Sequence, residues 1–115
     1  MDNRKLGNAG ENIAVSFLEK NGLRILDRNF YTNHGEIDII AKEGDTIVFA
    51  EVKFRESRLC GNPLEAITYR KIKTIIRASR VYLYFKHYPP SVPVRYDCIG
   101  ITGAEVNWIK GAFET

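Results

Sequence analysis

The chain has 115 residues, enough for a single domain, 1–115, whose core needs no disulfide staples. Its 44% hydrophobic and 27% charged residues exclude a disordered or fibrous polypeptide, and a net charge of +3 permits a polyanionic partner without demanding one. The two cysteines, Cys60 and Cys98, lack ligand spacing and are expected as thiols. No apolar run approaches the length of a membrane span, and the first residues lack the apolar segment of a signal peptide, so a cytoplasmic location is expected.

The first predicted element is a helix from about Gly7 to Asn21. Ala9, Ile13, Ala14, Phe17 and Leu18 recur at helical spacing, and Asn21-Gly22 is a stop. Glu11 falls at the margin of the buried face, where its carboxylate could look toward a sheet. "LRILDRNFY" then reads as a strand. "GEIDIIA" and "TIVFAEVKF" are further strands, rich in β-branched and aromatic residues. Gly44-Asp45 between them suits a two-residue type II′ turn. "CGNPLEAITYRKIKTIIRASRVYLYF" reads as a long helix with Pro63 in its first turn. "VRYDCIGIT" and "EVNWI" close the chain as strands. The predicted order is α-β-β-β-α-β-β, an α+β domain with a mixed central sheet.

The hairpin carries the chemistry. With Gly44 and Asp45 as the turn, opposed residues have numbers that sum to 89, so Asp38 faces Glu51 and Glu36 faces Lys53. Opposed residues share a face with Cβ atoms about 5 Å apart, and like charges there destabilise the sheet. A divalent cation would offset that repulsion. An all-oxygen ligand set favours Mg²⁺ or Mn²⁺ over zinc. Such an ion polarises a phosphate and acidifies a water, which points to phosphodiester hydrolysis, and Lys53 could stabilise the charge that develops at phosphorus. Each of these residues alone also suits an ordinary polar strand face. The conjunction of Glu11, Asp38, Glu51 and Lys53 carries the reading.

The pattern "GEIDII…FAEVKFR", set between "GNAGENIAVSFLEKNG" and "PLEAITYRKIKTIIRASRVYL", resembles the UPF0102 (YraN-type) family of small bacterial proteins. That family is similar to the PD-(D/E)XK nuclease superfamily, which includes archaeal Holliday-junction resolvases. The resemblance implies a restriction-endonuclease-like domain in α/β/α layers, with Asp38 and Glu51 as metal ligands and Lys53 as the catalytic lysine. Glu11 would be the helix-borne acid, and Lys71 would face the site from the following helix. Ile37 stands where the superfamily's proline would be.

Around this site, Arg70, Lys73, Arg77 and Arg80 form a stripe along the long helix that could track a phosphate backbone, with Lys71 beside it and Arg55 and Arg58 near the hairpin's open end. Tyr82, Tyr84, Phe85 and Tyr88 cluster before a Pro-Pro turn, as core, as a dimer contact or as a base-stacking surface. The expected function is metal-dependent hydrolysis of DNA, including branched DNA. The alternative is a catalytically silent nucleic-acid-binding domain of the same fold. A resolvase-like activity on symmetric strands would require a homodimer.

Overall fold

The structure is a computed structural model, and it describes residues 3–55, 68–103 and 105–114. Expectations that fall on Arg58, Cys60, Pro63 and Ile67, and on the side chain of Arg55, lie outside the described residues.

Helix α1 runs Asn3–Lys20. Ala14 and Leu18 are fully buried, with Ile13, Val15 and Phe17 packed around them. Its end follows from Asn21-Gly22. Gly22 takes φ 90, a backbone region open to glycine, so that the Gly22 amide reaches the Glu19 carbonyl and the Leu23 amide reaches that of Leu18. Strands β1 (Arg24–Thr32), β2 (Gly35–Glu43) and β3 (Thr46–Arg55) follow as an antiparallel meander. Helix α2 (Tyr69–Phe85) then crosses over, so that β4 (Val94–Thr102) lies parallel to β3, and β5 (Glu105–Phe113) turns back against β4. The sheet order is β1-β2-β3-β4-β5. The mixed sheet, its two helices and the α+β order agree with the sequence reading.

Each face of the sheet has its own core. Ile39, Ala41, Val48, Ala50, Ile99 and Ile101 pack with Ala14 and Leu18 of α1. On the other side, Ile40, Ile47, Phe49 and Tyr96 pack with Ile75, Ala78 and Tyr82 of α2. Neighbours such as Ile39 and Ile40 go to opposite faces because strand side chains alternate.

Several boundaries differ from expectation, α1 beginning at Asn3 and β2 running on to Glu43, and two of the differences have a visible cause. The N-cap of α2 is Thr68, in an extended conformation, with its hydroxyl accepting from the Lys71 amide at 3.1 Å, so this helix begins at Tyr69. A side-chain oxygen that satisfies an otherwise orphaned amide fixes the start more firmly than a permissive proline does. Thr68→Ala should cost about 1 kcal/mol in a denaturant titration. Strand β5 runs on to Phe113, beyond the expected Ile109. Asp97, which is fully buried, holds this extension: it accepts from the Gly111 amide and Trp108 Nε1, and Arg95 donates twice to it. Asp97 is therefore structural. Trp108 packs edge-on against Phe17, as a satellite of the core should.

Candidate metal and phosphodiester site

The β2–β3 turn sets the register. Gly44 lies at φ 59 and Asp45 outside the left-handed region, as a two-residue turn opening on glycine requires. Pairs run from Glu43↔Thr46 to Ile39↔Ala50, the predicted register. Beyond Ile39 the ladder departs from expectation. Asp38 does not pair through its backbone with Glu51, nor Glu36 with Lys53. Instead the Val52 amide donates to Asp38 Oδ2 at 2.8 Å.

The departure has a local cause in β2. Alternation from Ile39 would send Ile37 to the α1 side, yet Ile37 packs in the α2-side core. The strand twists at Asp38. On the neighbouring strand, Asn29 sits between the pairs Arg28↔Ile39 and Phe30↔Ile37 with φ 52, a value rarely taken by residues other than glycine. Asp38 is left in the gap between parting strands, open to groups from both faces.

From the α1 side comes Glu11, only 9% exposed. The preceding Gly10 lies against Phe54 of β3, where an added Cβ would be 3.1 Å from the ring. Glycine thus lets the helix approach β3 closely and brings Glu11 over the gap. Arg28 stands 3.8 Å from Glu11 Oε2 and donates to Asn12 Oδ1 at 2.7 Å, and the Asn29 side chain lies near enough to favour the ionised Glu11 carboxylate. Single carboxylate oxygens of Glu11, Glu36 and Asp38 lie within 4.8 Å of one another.

From β3 comes Glu51, 4% exposed. Its neighbours Ala50 and Val52 pack on the α1 side, so Glu51 points the other way, toward α2. Lys53 Nζ is 3.6 Å and Lys71 Nζ 3.7 Å from the same oxygen, Oε1. The two carboxyls, Asp38 and Glu51, come within hydrogen-bonding reach of each other.

Crowding acidic groups where water is scarce disfavours their charged forms. Burial, then the Glu51 charge, pushes the Asp38 carboxyl up to about 7, against the pull of the Val52 amide. Burial raises Glu51 as well, although Lys71 and Lys53 oppose it. Glu11 is raised by burial and by Asp38 and Glu36, and lowered by Asn29 and Arg28.

The donor set fits a hard divalent cation. It is all oxygen, as Mg²⁺ and Mn²⁺ prefer. Two of its oxygens, Glu11 Oε2 and Glu51 Oε2, are buried with no hydrogen-bond partner among the described residues. Buried carboxylate oxygens left bare are costly, and a cation would satisfy them.

Of the residues singled out in the sequence, the structure places Glu11 with Asp38, and Lys53 with Glu51. It adds Glu36, which had been read only as a polar strand residue; its position two before Asp38 on one strand was the available signal. Asn29 was missed altogether, because a left-handed backbone at an asparagine leaves no periodic trace. Lys71 reaches the site, whereas Arg70, Lys73 and Arg77 lie on the exposed side of α2, with Lys73 over the Tyr69 ring.

A mixed sheet with one helix on each face and a carboxylate–lysine cluster at the open end of its central hairpin defines a class: an α+β domain with a candidate cation site. Residues 10–101 match the family described as "Uncharacterised protein family UPF0102", and the chain belongs to that family. The UPF0102 protein of Caldicellulosiruptor saccharolyticus is 44% identical over 119 residues, covering 98% of this chain and 100% of its own. Those of Fusobacterium nucleatum and Vibrio parahaemolyticus are 39% and 38% identical, over 96% and 95% of this chain and 92% of each relative. No helix among the described residues is long and apolar enough to cross a membrane.

Proposed function

We propose that this protein is a metal-dependent nuclease that hydrolyses phosphodiester bonds in DNA, with branched DNA among its substrates. One observation carries the reading: Glu11 Oε2, in a group with Glu36 and Asp38, and Glu51 Oε2, on a carboxylate that meets two ammonium groups, are buried and unpartnered among the described residues. A module that only binds nucleic acid has no use for acids that repel phosphates.

Glu11, Glu36, Asp38 and Glu51 would hold Mg²⁺ or Mn²⁺. The ion, when bound, supplies positive charge that polarises a scissile phosphate and acidifies an attacking water. The chain's own groups do the rest. Four carboxylates face three cations, Arg28, Lys53 and Lys71, so the ionised cluster alone carries one negative charge in excess and repels a phosphodiester. A divalent ion reverses that sign. Lys71 and Lys53 hold Glu51 Oε1 and so favour the ionised carboxylate, leaving Oε2 as the free ligand atom. Lys53 has three N–H donors, and those not aimed at Glu51 can meet a phosphate oxygen. Arg28, 3.8 Å from Glu11 Oε2, and Asn29 favour the ionised form of the Glu11 carboxylate.

The test is a cleavage assay on linear duplex, single-stranded, flap and four-way DNA with Mg²⁺ or Mn²⁺, beside Glu51→Gln. Cleavage should require the metal and vanish in the variant. Absence of cleavage on all four substrates, or cleavage that survives Glu51→Gln, would sink the proposal.

A further inference from the structure

Edge strand β1, the turn after it and the second half of α2 enclose a groove of about 450 Å³, lined by Phe30, Tyr31, Thr32, His34, Val81 and Phe85. Its walls include exposed apolar groups: Phe85 is 68% and Val81 39% accessible. Tyr82, by contrast, is spent in the core, where its hydroxyl donates to Asp27. The aromatic cluster before the Pro-Pro turn thus splits into a buried part and a part offered to a partner.

The groove lies beside the strand segment that carries Glu36: its lining reaches His34, two residues before that acid. Gly35, beside Glu36, lies against Thr74 of α2, where an added Cβ would be 3.3 Å from the threonine. Thr74, Val81 and Phe85 share one side of the helix, at i, i+7 and i+11. Lys71, which meets Glu51, is ten residues before Val81, about 15 Å along the axis. By the same periodicity Arg70 and Arg77 border that side. Both are exposed, and no carboxylate pairs with either among the described residues.

We infer that this groove receives an unpaired segment of the nucleic-acid strand whose phosphodiester lies at the carboxylate cluster, with a base stacked on Phe85 and its phosphates on the Arg70–Arg77 rim. The inference rests on the nuclease reading and extends it to the form of the substrate. Duplex DNA keeps its base faces inside the stack and would leave an apolar floor unused. A single strand offers both a base face and a backbone, matching an aromatic wall and a basic rim. A second copy of the chain fits less well: a two-fold contact would set the same arginines against each other.

The test is binding of a fluorescein-labelled oligothymidine of about a dozen nucleotides, followed by anisotropy with EDTA present so that no cleavage enters. Phe85→Ala should weaken binding about tenfold, the loss expected from one stacked base, while Phe85→Trp retains it and a blunt duplex of equal length binds all three proteins alike. Melting curves confirm that both variants fold. Unchanged oligothymidine affinity in Phe85→Ala overturns the inference, as does an equal loss for the duplex. Sedimentation showing a dimer that Phe85→Ala dissociates, with oligothymidine affinity intact, assigns the face to self-association instead. The nuclease reading stands or falls separately: Phe85-dependent binding without any cleavage keeps the groove and rejects the catalysis, whereas cleavage with Phe85-independent binding does the reverse.

Discussion

Lys53→Ala is expected to lower the metal-dependent cleavage rate by about 10²–10³-fold while leaving DNA binding nearly unchanged. Removal of one preorganised donor aimed at developing charge has that order of effect in other enzymes. Lys53 earns the comparison by position. Its ammonium is 3.6 Å from Glu51 Oε1, about a third exposed, and therefore able to meet both the ligand carboxylate and an incoming phosphate. Lys71 touches the same oxygen at 3.7 Å from α2. Its replacement by alanine removes a positive charge from Glu51, so that the loss should be about tenfold and should be offset partly by higher metal concentration, whereas the Lys53 loss should not. Single-turnover rates measured over a metal titration separate the two. Equal losses for both lysines, each rescued by metal, would show that Lys53 serves only to balance charge.

The metal-free protein should be markedly less stable at pH 8 than at pH 5. Asp38 has an ordinary pKa of 3.8 when unfolded and about 7 when folded. Below the unfolded value both states hold the proton, and the group contributes nothing to the balance. Between the two values the folded state binds more protons than the unfolded one, so stability falls as pH rises, and it levels off above about 7. Between pH 5 and 8 only the part of that shift above pH 5, about two pH units, is lost, which corresponds to roughly 2–3 kcal/mol, or a fall in melting temperature of about 10 °C for a domain of this length. Glu51 and Glu11 are raised in the same direction and add to the effect. Mg²⁺ binds the ionised, folded cluster, so it should restore stability at pH 8 and do little at pH 5. Asp38→Asn keeps an oxygen for the Val52 amide and removes the charge. It should raise the metal-free melting temperature at pH 8, flatten its pH dependence and abolish the Mg²⁺ shift. Melting curves that do not vary across this pH range, or an unchanged Mg²⁺ shift in Asp38→Asn, would contradict this account of the cluster.

The parts of the fold that local chemistry decides were readable in the sequence. Gly44-Asp45 fixed the β2–β3 register because a two-residue turn leaves no freedom in pairing. Asn21-Gly22 ended α1 where glycine could take the left-handed backbone. The start of α2 was misread because its apolar periodicity runs back past Thr68, and only the capping hydrogen bond marks the true first turn. The C-terminal half of β5 depends on Asp97, a residue from another strand, so no local signal announces it. The site divides along the same line. Asp38, Glu51 and Lys53 follow from the hairpin. That Asp38 drops into the gap rather than standing opposite Glu51 follows from a twist shared with Asn29, which pairwise register arithmetic does not contain. Glu11 joins for a tertiary reason, the close approach of α1 to β3 that Gly10 permits, and Lys71 joins because α2 packs over the face to which Glu51 points.

The Val52 N–H is held by the side chain of Asp38 and not by a strand partner, at the point where the hairpin opens. The group that would grip a cation is thus also the latch of the β2–β3 seam. Loading the site and fastening the hairpin become a single event, and the deuterium exchange of that one proton is a spectroscopic gauge of occupancy, readable in a molecule that is turning nothing over.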